Sequence, residues 1–230
     1  MAPYTYTFVP SLSPLASQSP KSLSANSNPP IDHLMTSVLV LRQPQAQAKP
    51  QILLLRRSPT DSYPLKWEAP GGSIDDSDAS TLDAAARELW EETALKECHF
   101  YASVGTTRDL EDLDQSAVKN WGIGPLEEDA KDVQVEAKSE QEGISTQVKI
   151  TTFLETKNVW GKITFLATTN NKDDVVIDPE EHIDWGWFTE EEVRMGRAEE
   201  GSKVLEFTSQ AVWGSLLEGF RVGREMGIIV

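Results

Sequence analysis

The chain has 230 residues, of which 39% are hydrophobic and 25% are charged, so it can bury the core of one large domain or two small ones. Asp and Glu total 37 against 21 Lys and Arg, and this net charge of −16 argues against binding to nucleic acid polymers or to anionic membranes. The single cysteine, Cys98, cannot form an intramolecular disulfide, and no apolar run approaches the roughly 20 residues of a membrane span. These features favour a soluble cytoplasmic protein.

The N-terminal segment, residues 1–31, contains seven Ser, six Pro and one charged residue, Lys21. It lacks the basic start and the apolar run of a secretory signal. Residues 4–9 alternate in the manner of a strand and are expected to add to a sheet edge, whereas residues 11–30 are expected to be irregular.

Strands and helices are predicted in one continuous order after this segment. The first two strands form a β-hairpin with a long loop, and the central helix has Leu82, Ala85, Ala86, Leu89 and Thr93 on one side. Without a polar linker after residue 31, the order favours one α+β domain over residues 32–230. The predicted strands are residues 34–41, 51–55, 99–104, 147–154, 162–168 and 184–188, and the predicted helices are residues 77–94, a capped helix starting at Thr189, and residues 209–226.

An acidic insertion is predicted at about residues 108–146. Between Asp109 and Glu142 the chain has 11 acidic residues and three lysines, which is a local charge of −8. Such a long stretch without periodicity is typical of a mobile or functional loop, and we expect it on the substrate side of the domain.

Three glutamates in the central helix carry the chemical signal. Glu88, Glu91 and Glu92 are spaced i, i+3 and i+4, so their like charges lie on adjacent turns and repel one another. A hard divalent cation such as Mg²⁺ or Mn²⁺ would supply the counter-charge. A solvated acidic helix face is the alternative, but Arg87 directly before Glu88 and the bare backbone of Gly71 and Gly72 ahead of the helix favour a metal site.

This arrangement resembles the Nudix box, in which Gly, five residues, Glu and seven residues precede Arg-Glu, an aliphatic residue, any residue, Glu-Glu, any residue, Gly and an aliphatic residue. Gly72 opens the pattern, and residues 87–95 close it. Asp78 stands in place of the first Glu, eight residues rather than seven separate it from Arg87, and Ala94 replaces the final Gly. The run of residues 66–72 and that of residues 179–193 also resemble the family.

The resemblance implies a Nudix-type α/β/α sandwich with a mixed central sheet, and it implies roles for particular residues. Gly72, through its carbonyl, and Glu88, Glu91 and Glu92 would bind Mg²⁺, with Mn²⁺ as a substitute. Arg87 would hold the carboxylates in place, although an ion pair with Asp83 or Glu91 explains it equally well. The implied catalytic residues are Glu88, Glu91, Arg87 and Glu181, with Glu181 as the leading general base and Glu180 behind it.

The activity implied is that of a diphosphate hydrolase (pyrophosphohydrolase) acting on a nucleoside diphosphate derivative or another organic diphosphate. A prenyl or terpenyl diphosphate is the second substrate class, and an inactive Nudix-fold module that binds a ligand is the third interpretation. Arg57, Trp67 and Trp160 are candidate substrate-binding residues. Trp67, Trp121 and Trp160 could each stack on a nucleobase, although packing in the core or in a loop explains each of them equally well. The expected partner is a small diphosphate, with a homodimer as a further possibility.

Overall fold

The computed structural model describes residues 2–45, 47–106, 130–139, 144–155, 157–170, 174–199, 201 and 203–230. The strands are β1 Thr5–Phe8, β2 His33–Arg42, β3 Gln51–Arg57, β4 Trp67–Glu68, β5 Glu97–Val104, β6 Lys131–Lys138, β7 Ser145–Glu155, β8 Asn158–Thr169 and β9 His182–Thr189. The helices are α1 Ser13–Ser17, α2 Pro20–Ala25, α3 Thr81–Thr93, α4 Glu190–Met195 and α5 Gln210–Glu225, and a 3-10 turn covers Pro10–Leu12. The predicted strands after residue 31 are thereby confirmed, as is the N-terminal strand.

Strand β8 organises a mixed sheet. One of its edges pairs with β2 in parallel, and its other edge pairs antiparallel with β7 in the first half and with β5 in the second half. Strand β1 extends β5 in parallel, and β6 extends β7 antiparallel. Beyond β2, strand β3 pairs antiparallel with β2, β4 and β9, so the predicted β2–β3 hairpin is confirmed.

Apolar residues fill both faces of this sheet, because side chains alternate along each strand. Val38 and Val40 pack with Leu89 of α3 in one core, whereas Leu39 and Leu41 pack with the side chains of α5 in the other. Helices therefore lie on both sides of a mixed sheet, and the predicted α/β/α sandwich is confirmed. None of the helices within the described ranges has the length and apolar character needed to cross a membrane.

The expectation of an irregular segment at residues 11–30 is wrong. This segment forms α1 and α2, and Leu12, Leu15 and Leu23 are at most 4% exposed in the same core as Val38. Pro20 at the first position of α2, preceded by Ser19 as its cap, shows how a Ser/Pro-rich sequence can start a short helix. Tertiary packing stabilises α1 and α2, and the amino-acid composition of the segment does not predict such packing.

The acidic insertion is also only partly a loop. Residues 131–138 form β6, which pairs along its whole length with β7 and buries Val135 and Ala137. Polar and charged residues alternate with these apolar ones, which is a strand pattern with a period of two. The high charge of the segment led to the prediction of a loop instead. Residues 107–129 and 140–143, which include Asp109, Glu111, Asp112, Asp114 and Trp121, lie outside the described residues.

The predicted central and final helices differ from the observed ones only at their ends. Helix α3 begins at Thr81 because the Ser80 side chain accepts the Asp83 N–H, and it ends before Ala94, which adopts the left-handed conformation with φ 57°. The capped start at Thr189 is confirmed by a capping box with Glu192.

Candidate active site

The loop before α3 approaches its neighbours too closely for side chains. Gly71 has φ 152°, and a Cβ atom there would lie 2.2 Å from the Thr36 carbonyl oxygen. A Cβ atom at Gly72 would lie 2.6 Å from Oε2 of Glu88. The Gly72 carbonyl accepts the Thr36 N–H at 2.8 Å and keeps a second lone pair for another partner. The glycines therefore bring bare backbone against a carboxylate of the helix.

Arg87 connects four acidic and backbone groups around this loop. Its guanidinium donates to both oxygens of Asp78 at 2.9 Å, to Glu88 Oε1 at 2.9 Å and to Glu91 Oε2 at 2.8 Å. It also donates to the Ser73 carbonyl at 3.0 Å. The sequence left open whether Arg87 organises the carboxylates or simply pairs with Glu91, and both contacts occur together. Asp78, which is 8% exposed, is its two-point partner.

The three glutamates of α3 have different environments. Glu92 is 6% exposed, and its Oε2 accepts the Gly71 N–H at 2.7 Å. Glu88 is partly buried beside Gly72, and Glu91 faces solvent with its side chain 45% exposed. Glu88 and Glu92 therefore point towards the glycine loop, whereas Glu91 contacts it only through Arg87.

Two residues where β9 begins, Glu181 in the preceding turn and His182 as the first residue of the strand, approach Glu92. His182 is 2% exposed, its Nε2 lies 3.8 Å from Glu92 Oε1, and neither ring nitrogen has a hydrogen-bond partner among the residues that the structure describes. Glu92, Glu181 and His182 each offer one ligand atom within 4.8 Å of the others. Only the fold shows that His182 lies against Glu92.

Burial dominates the acid–base properties of this cluster. It raises the pKa of Glu88 to about 7 against the opposing effect of Arg87, and it raises the pKa of Glu92 well above its ordinary value, with Glu68 adding to the shift. Burial, and then the charge of Asp178, raises the pKa of Glu181. Burial lowers the pKa of His182 to about 4, so the imidazole is neutral at pH 7.

These residues fit a hard divalent cation. Glu88 and Glu92 are buried carboxylates whose ionised forms need compensation, and Oε1 of Glu92 is too far from His182 for a hydrogen bond. The unpartnered nitrogens of His182 and the second lone pair of the Gly72 carbonyl offer further donors. Oxygen-rich sites of this kind suit Mg²⁺ or Mn²⁺.

The acidic cluster lies at one end of a cleft of about 720 Å³. Its floor is the part of the sheet that α5 leaves uncovered, and Ser209, Val212 and Ser215 near the start of α5 contribute the facing wall. Glu180 and Glu181 line it beside the glycine loop. The size is within the range of small-molecule sites.

Arg57 lines the cleft but is held by acidic partners of its own. It forms ion pairs with Glu68 and with Asp61, the latter at 2.6 Å, and its Nε donates to the Ser62 carbonyl at 2.6 Å. Burial opposes its charge, while Glu68 raises its pKa. Through these contacts Arg57 holds the loop after β3 against the buried carboxylate of Glu68 beside the site.

The tryptophans predicted to bind substrate differ in position. Trp67 is 1% exposed, packs edge-on against Phe188 at 5.2 Å and donates its Nε1–H to the Val204 carbonyl. The expectation that Trp67 stacks on a substrate is therefore wrong, because the ring has no open face. Trp160 is half-buried and lines the cleft.

Several cleft residues were missed by the sequence reading. Met35, Phe153 and Lys162 line the floor, and Glu68 lies buried next to the acidic cluster. Alternation along β8 places Trp160, Lys162 and Thr164 on one face, but only the packing of α5 shows that this face is open.

Comparison with known proteins agrees with this geometry. Residues 33–144 match the family model of the NUDIX domain. The chain is 40% identical over 70 residues to the uncharacterized Nudix hydrolase NudL of Klebsiella aerogenes, and this match covers 29% of the chain and 55% of that relative's length. The chain thus spans about half of the curated relative that it matches.

Solved structures with a similar arrangement include the Nudix hydrolase RenU of M. smegmatis, with a TM-score of 0.49 and 15% identity over 86% of this chain and 88% of that one. A C. elegans Ap4A hydrolase complex gives a TM-score of 0.43 and 18% identity over 84% of this chain and 98% of that one. The residues that match the NUDIX domain, 33–144, include the glycine loop and the Arg-Glu helix against which it packs, so the comparison and the geometry together support the Nudix superfamily.

Proposed function

We propose that the protein is a Mg²⁺-dependent hydrolase of a diphosphate linkage, with nucleoside diphosphate derivatives as the leading substrates. One observation carries this proposal: Gly72, Glu88, Glu92 and Glu181 line the same end of one cleft. The carboxylates of Glu88 and Glu92 come from one helix and that of Glu181 from a different element. This convergence leaves space for both a cation and a substrate.

Mg²⁺, when bound by Glu88, Glu92 and the Gly72 carbonyl, supplies charge neutralisation for phosphate oxygens and acidifies water. The reaction is the attack of a water oxygen on one phosphorus, which breaks the bridging P–O bond and gives two phosphate products. Glu181 lies on the cleft wall, and its raised pKa suits a general base that accepts the proton of the attacking water.

The remaining residues of the cluster position these groups. Arg87 fixes Glu88 through a hydrogen bond of 2.9 Å, and the Gly71 N–H fixes Glu92 at 2.7 Å. Glu91 orients Arg87 from the solvent side, and a role as a ligand through water is also compatible with its position. Such support limits the freedom of the carboxylates before substrate arrives.

The substrate side of the cleft carries positive charge at Lys162 and Arg57. Arg57 is paired with Glu68 and Asp61 beside the acidic cluster, and Lys162 lies on the cleft floor, where its ammonium can face a substrate phosphate. A prenyl diphosphate would use the same phosphate contacts and differ only in the group beyond them. A ligand-binding module without catalysis would retain the cleft but not turn the substrate over.

The test is a screen of nucleoside and prenyl diphosphates in ¹⁸O-labelled water, with Mg²⁺ or with excess EDTA. We expect ¹⁸O in one phosphate product and no turnover with EDTA, because attack is at phosphorus and needs the cation. Glu181→Gln should lower kcat by about 100-fold or more, whereas Glu136→Gln, on the exposed surface of β6, should not. Turnover that survives EDTA, or ¹⁸O only on carbon, would refute the mechanism. Binding without any turnover would favour the module.

A further inference from the structure

Three neighbouring strands bring Phe153, Trp160 and His33 into one row, and Phe153 and Trp160 of this row lie on the cleft floor. Phe153 of β7 pairs with Trp160 of β8, and Trp160 pairs in turn with His33 of β2. Side chains directly opposite each other in a sheet project from the same face. Three separate sequence regions therefore supply one row of rings, the aromatic row.

Two rings of this row, those of His33 and Trp160, contact each other, and Trp160 and Phe153 line the cleft. The centroids of His33 and Trp160 are 4.6 Å apart with an interplanar angle of 31°, and Asn158 Nδ2 lies 3.3 Å from His33 Nε2. Trp160 and Phe153 are half-buried and line the cleft, whereas His33 does not line it. His33 thus supports Trp160 from the side, and Asn158 holds His33.

The aromatic row is continuous with the acidic end of the cleft. The next row along the same strands is Thr151, Lys162 and Met35, and all three residues line the cleft. Gly72 bonds to Thr36 across one edge of β2, and Trp160 pairs with His33 across the other edge. Gly72 and Trp160 are therefore offset by three residues along β2 and by two strand spacings. At about 3.3 Å per residue and about 4.8 Å per strand, their Cα atoms are about 14 Å apart. A diphosphate alone cannot bridge that distance, but a diphosphate carrying a sugar and a ring can.

We propose that the aromatic row binds a planar ring of the substrate, with Trp160 as the stacking surface and His33 as its positioning residue. This inference rests on the proposed function and narrows its substrate class to diphosphates that carry a nucleobase or a similar ring. A planar ring can stack on a half-exposed indole face, and the strength of this stacking depends little on which base supplies the ring. The hydroxyls of Thr151 and Thr164 also line the cleft, and such polar groups suit the edge of a base better than a prenyl chain.

The test compares two non-hydrolysable ligands that differ only in the nucleoside. Binding of α,β-methylene-ADP and of methylenediphosphonate is measured by calorimetry with Mg²⁺ for the wild type, Trp160→Phe and Trp160→Leu. We expect Trp160→Leu to weaken α,β-methylene-ADP by roughly 10- to 100-fold and Trp160→Phe by much less, since only Phe keeps a π-face. Methylenediphosphonate should bind all three proteins equally.

A matched pair of histidine variants tests the positioning role. His33→Ala should weaken α,β-methylene-ADP by roughly 2- to 10-fold, and His33→Phe should restore binding because it keeps a ring against Trp160. His99→Ala is the control, since His99 also contacts a ring, Tyr101, at 4.5 Å, but does not line the cleft. Melting curves establish that each variant is folded.

The outcomes separate the two proposals. If neither ligand binds the wild type, the diphosphate site fails and this inference fails with it. If both ligands bind but Trp160→Leu changes neither, the proposed function stands and the aromatic row is not the ring site. If Trp160→Leu and Trp160→Phe weaken α,β-methylene-ADP to the same extent, the surface is a general apolar contact, and the prenyl interpretation replaces this one.

Discussion

Arg87 and Asp78 form a two-point ion pair, from Nε to Oδ1 and from Nη2 to Oδ2, each at 2.9 Å. The chain between them is one residue longer than in the Nudix pattern, and Asp is shorter than the usual Glu. The Asp78 N–H donates to the Asp75 carbonyl in a turn before the helix, and the Asp78 carboxylate still reaches two nitrogens of Arg87. The altered spacing therefore leaves the Arg-Glu half of the box supported.

Asp78→Asn is expected to lower the free energy of unfolding by about 2–3 kcal/mol, because Arg87 keeps its charge and loses its carboxylate partner. Urea denaturation measures the change. Asp76→Asn is the control, since Asp76 pairs with Lys21 at the surface with its side chain 83% exposed, and it should change stability little. Equal losses of unfolding free energy for the two substitutions would show that the Arg87–Asp78 pair stabilises the protein no more than a surface ion pair does.

Ala94→Gly is expected to stabilise the protein by about 0.5–1 kcal/mol, because an alanine in the left-handed conformation is strained and a glycine is not. Ala94 has φ 57° and donates its N–H to the Trp90 carbonyl at the end of α3. The same substitution at Ala211, within α5, should instead cost about 1 kcal/mol. A loss of stability at position 94 in thermal melts would contradict this account.

Glu92→Gln should reverse its effect on stability with the metal. In EDTA the variant is expected to melt at the same temperature as the wild type or higher, because it removes a buried carboxylate while an amide oxygen can still accept the Gly71 N–H. With excess Mg²⁺ the wild type gains stability and the variant gains less, and its hydrolysis falls by orders of magnitude. Equal Mg²⁺-induced shifts and equal activity in both proteins would reject Glu92 as a ligand.

Stabilisation by Mg²⁺ should increase with pH. The pKa of Glu88 is raised from 4.5 to about 7, so the metal-free folded state holds a proton that the unfolded state has lost between these values. Its unfolding free energy therefore falls as pH rises through that window. Mg²⁺ binds the ionised carboxylates, so the Mg²⁺-induced shift in Tm should grow from about pH 5 to about pH 8. Glu88→Gln should flatten this dependence, and a shift that does not vary with pH in the wild type would exclude the linkage.

Residues 107–129 are expected to affect substrate selection rather than folding. Thr106 and Ala130, which flank this segment, both line the cleft. A Gly-Ser linker in place of residues 107–129 should leave cooperative unfolding intact and change KM or substrate preference. Replacing residues 109–142 should instead destabilise the protein, because it also removes β6 with the buried Val135 and Ala137. If the shorter replacement alone abolishes folding, the segment is structural.

The sequence alone was sufficient for the elements whose pattern is local. The spacing of Leu82, Ala85 and Leu89 defined the central helix, and the Arg87–Glu92 run with Gly72 indicated the family. These features depend on periodicity and on groups held within a few residues of one another, which the order of residues encodes directly. The missed strand β6 shows the limit, since its alternation was masked by charge.

Tertiary structure decided which residues face the cleft. Trp67 and Trp160 are equally plausible in sequence, but Trp67 lies under α5 in the core and Trp160 lies where that helix leaves the sheet uncovered. His182 becomes a neighbour of Glu92 only because β9 pairs with β3. Contacts between distant segments depend on strand register and helix placement, and no local pattern specifies them. The acidic cluster was therefore predictable from the sequence, while the shape of the rest of the cleft was set by the packing of α5 on the sheet.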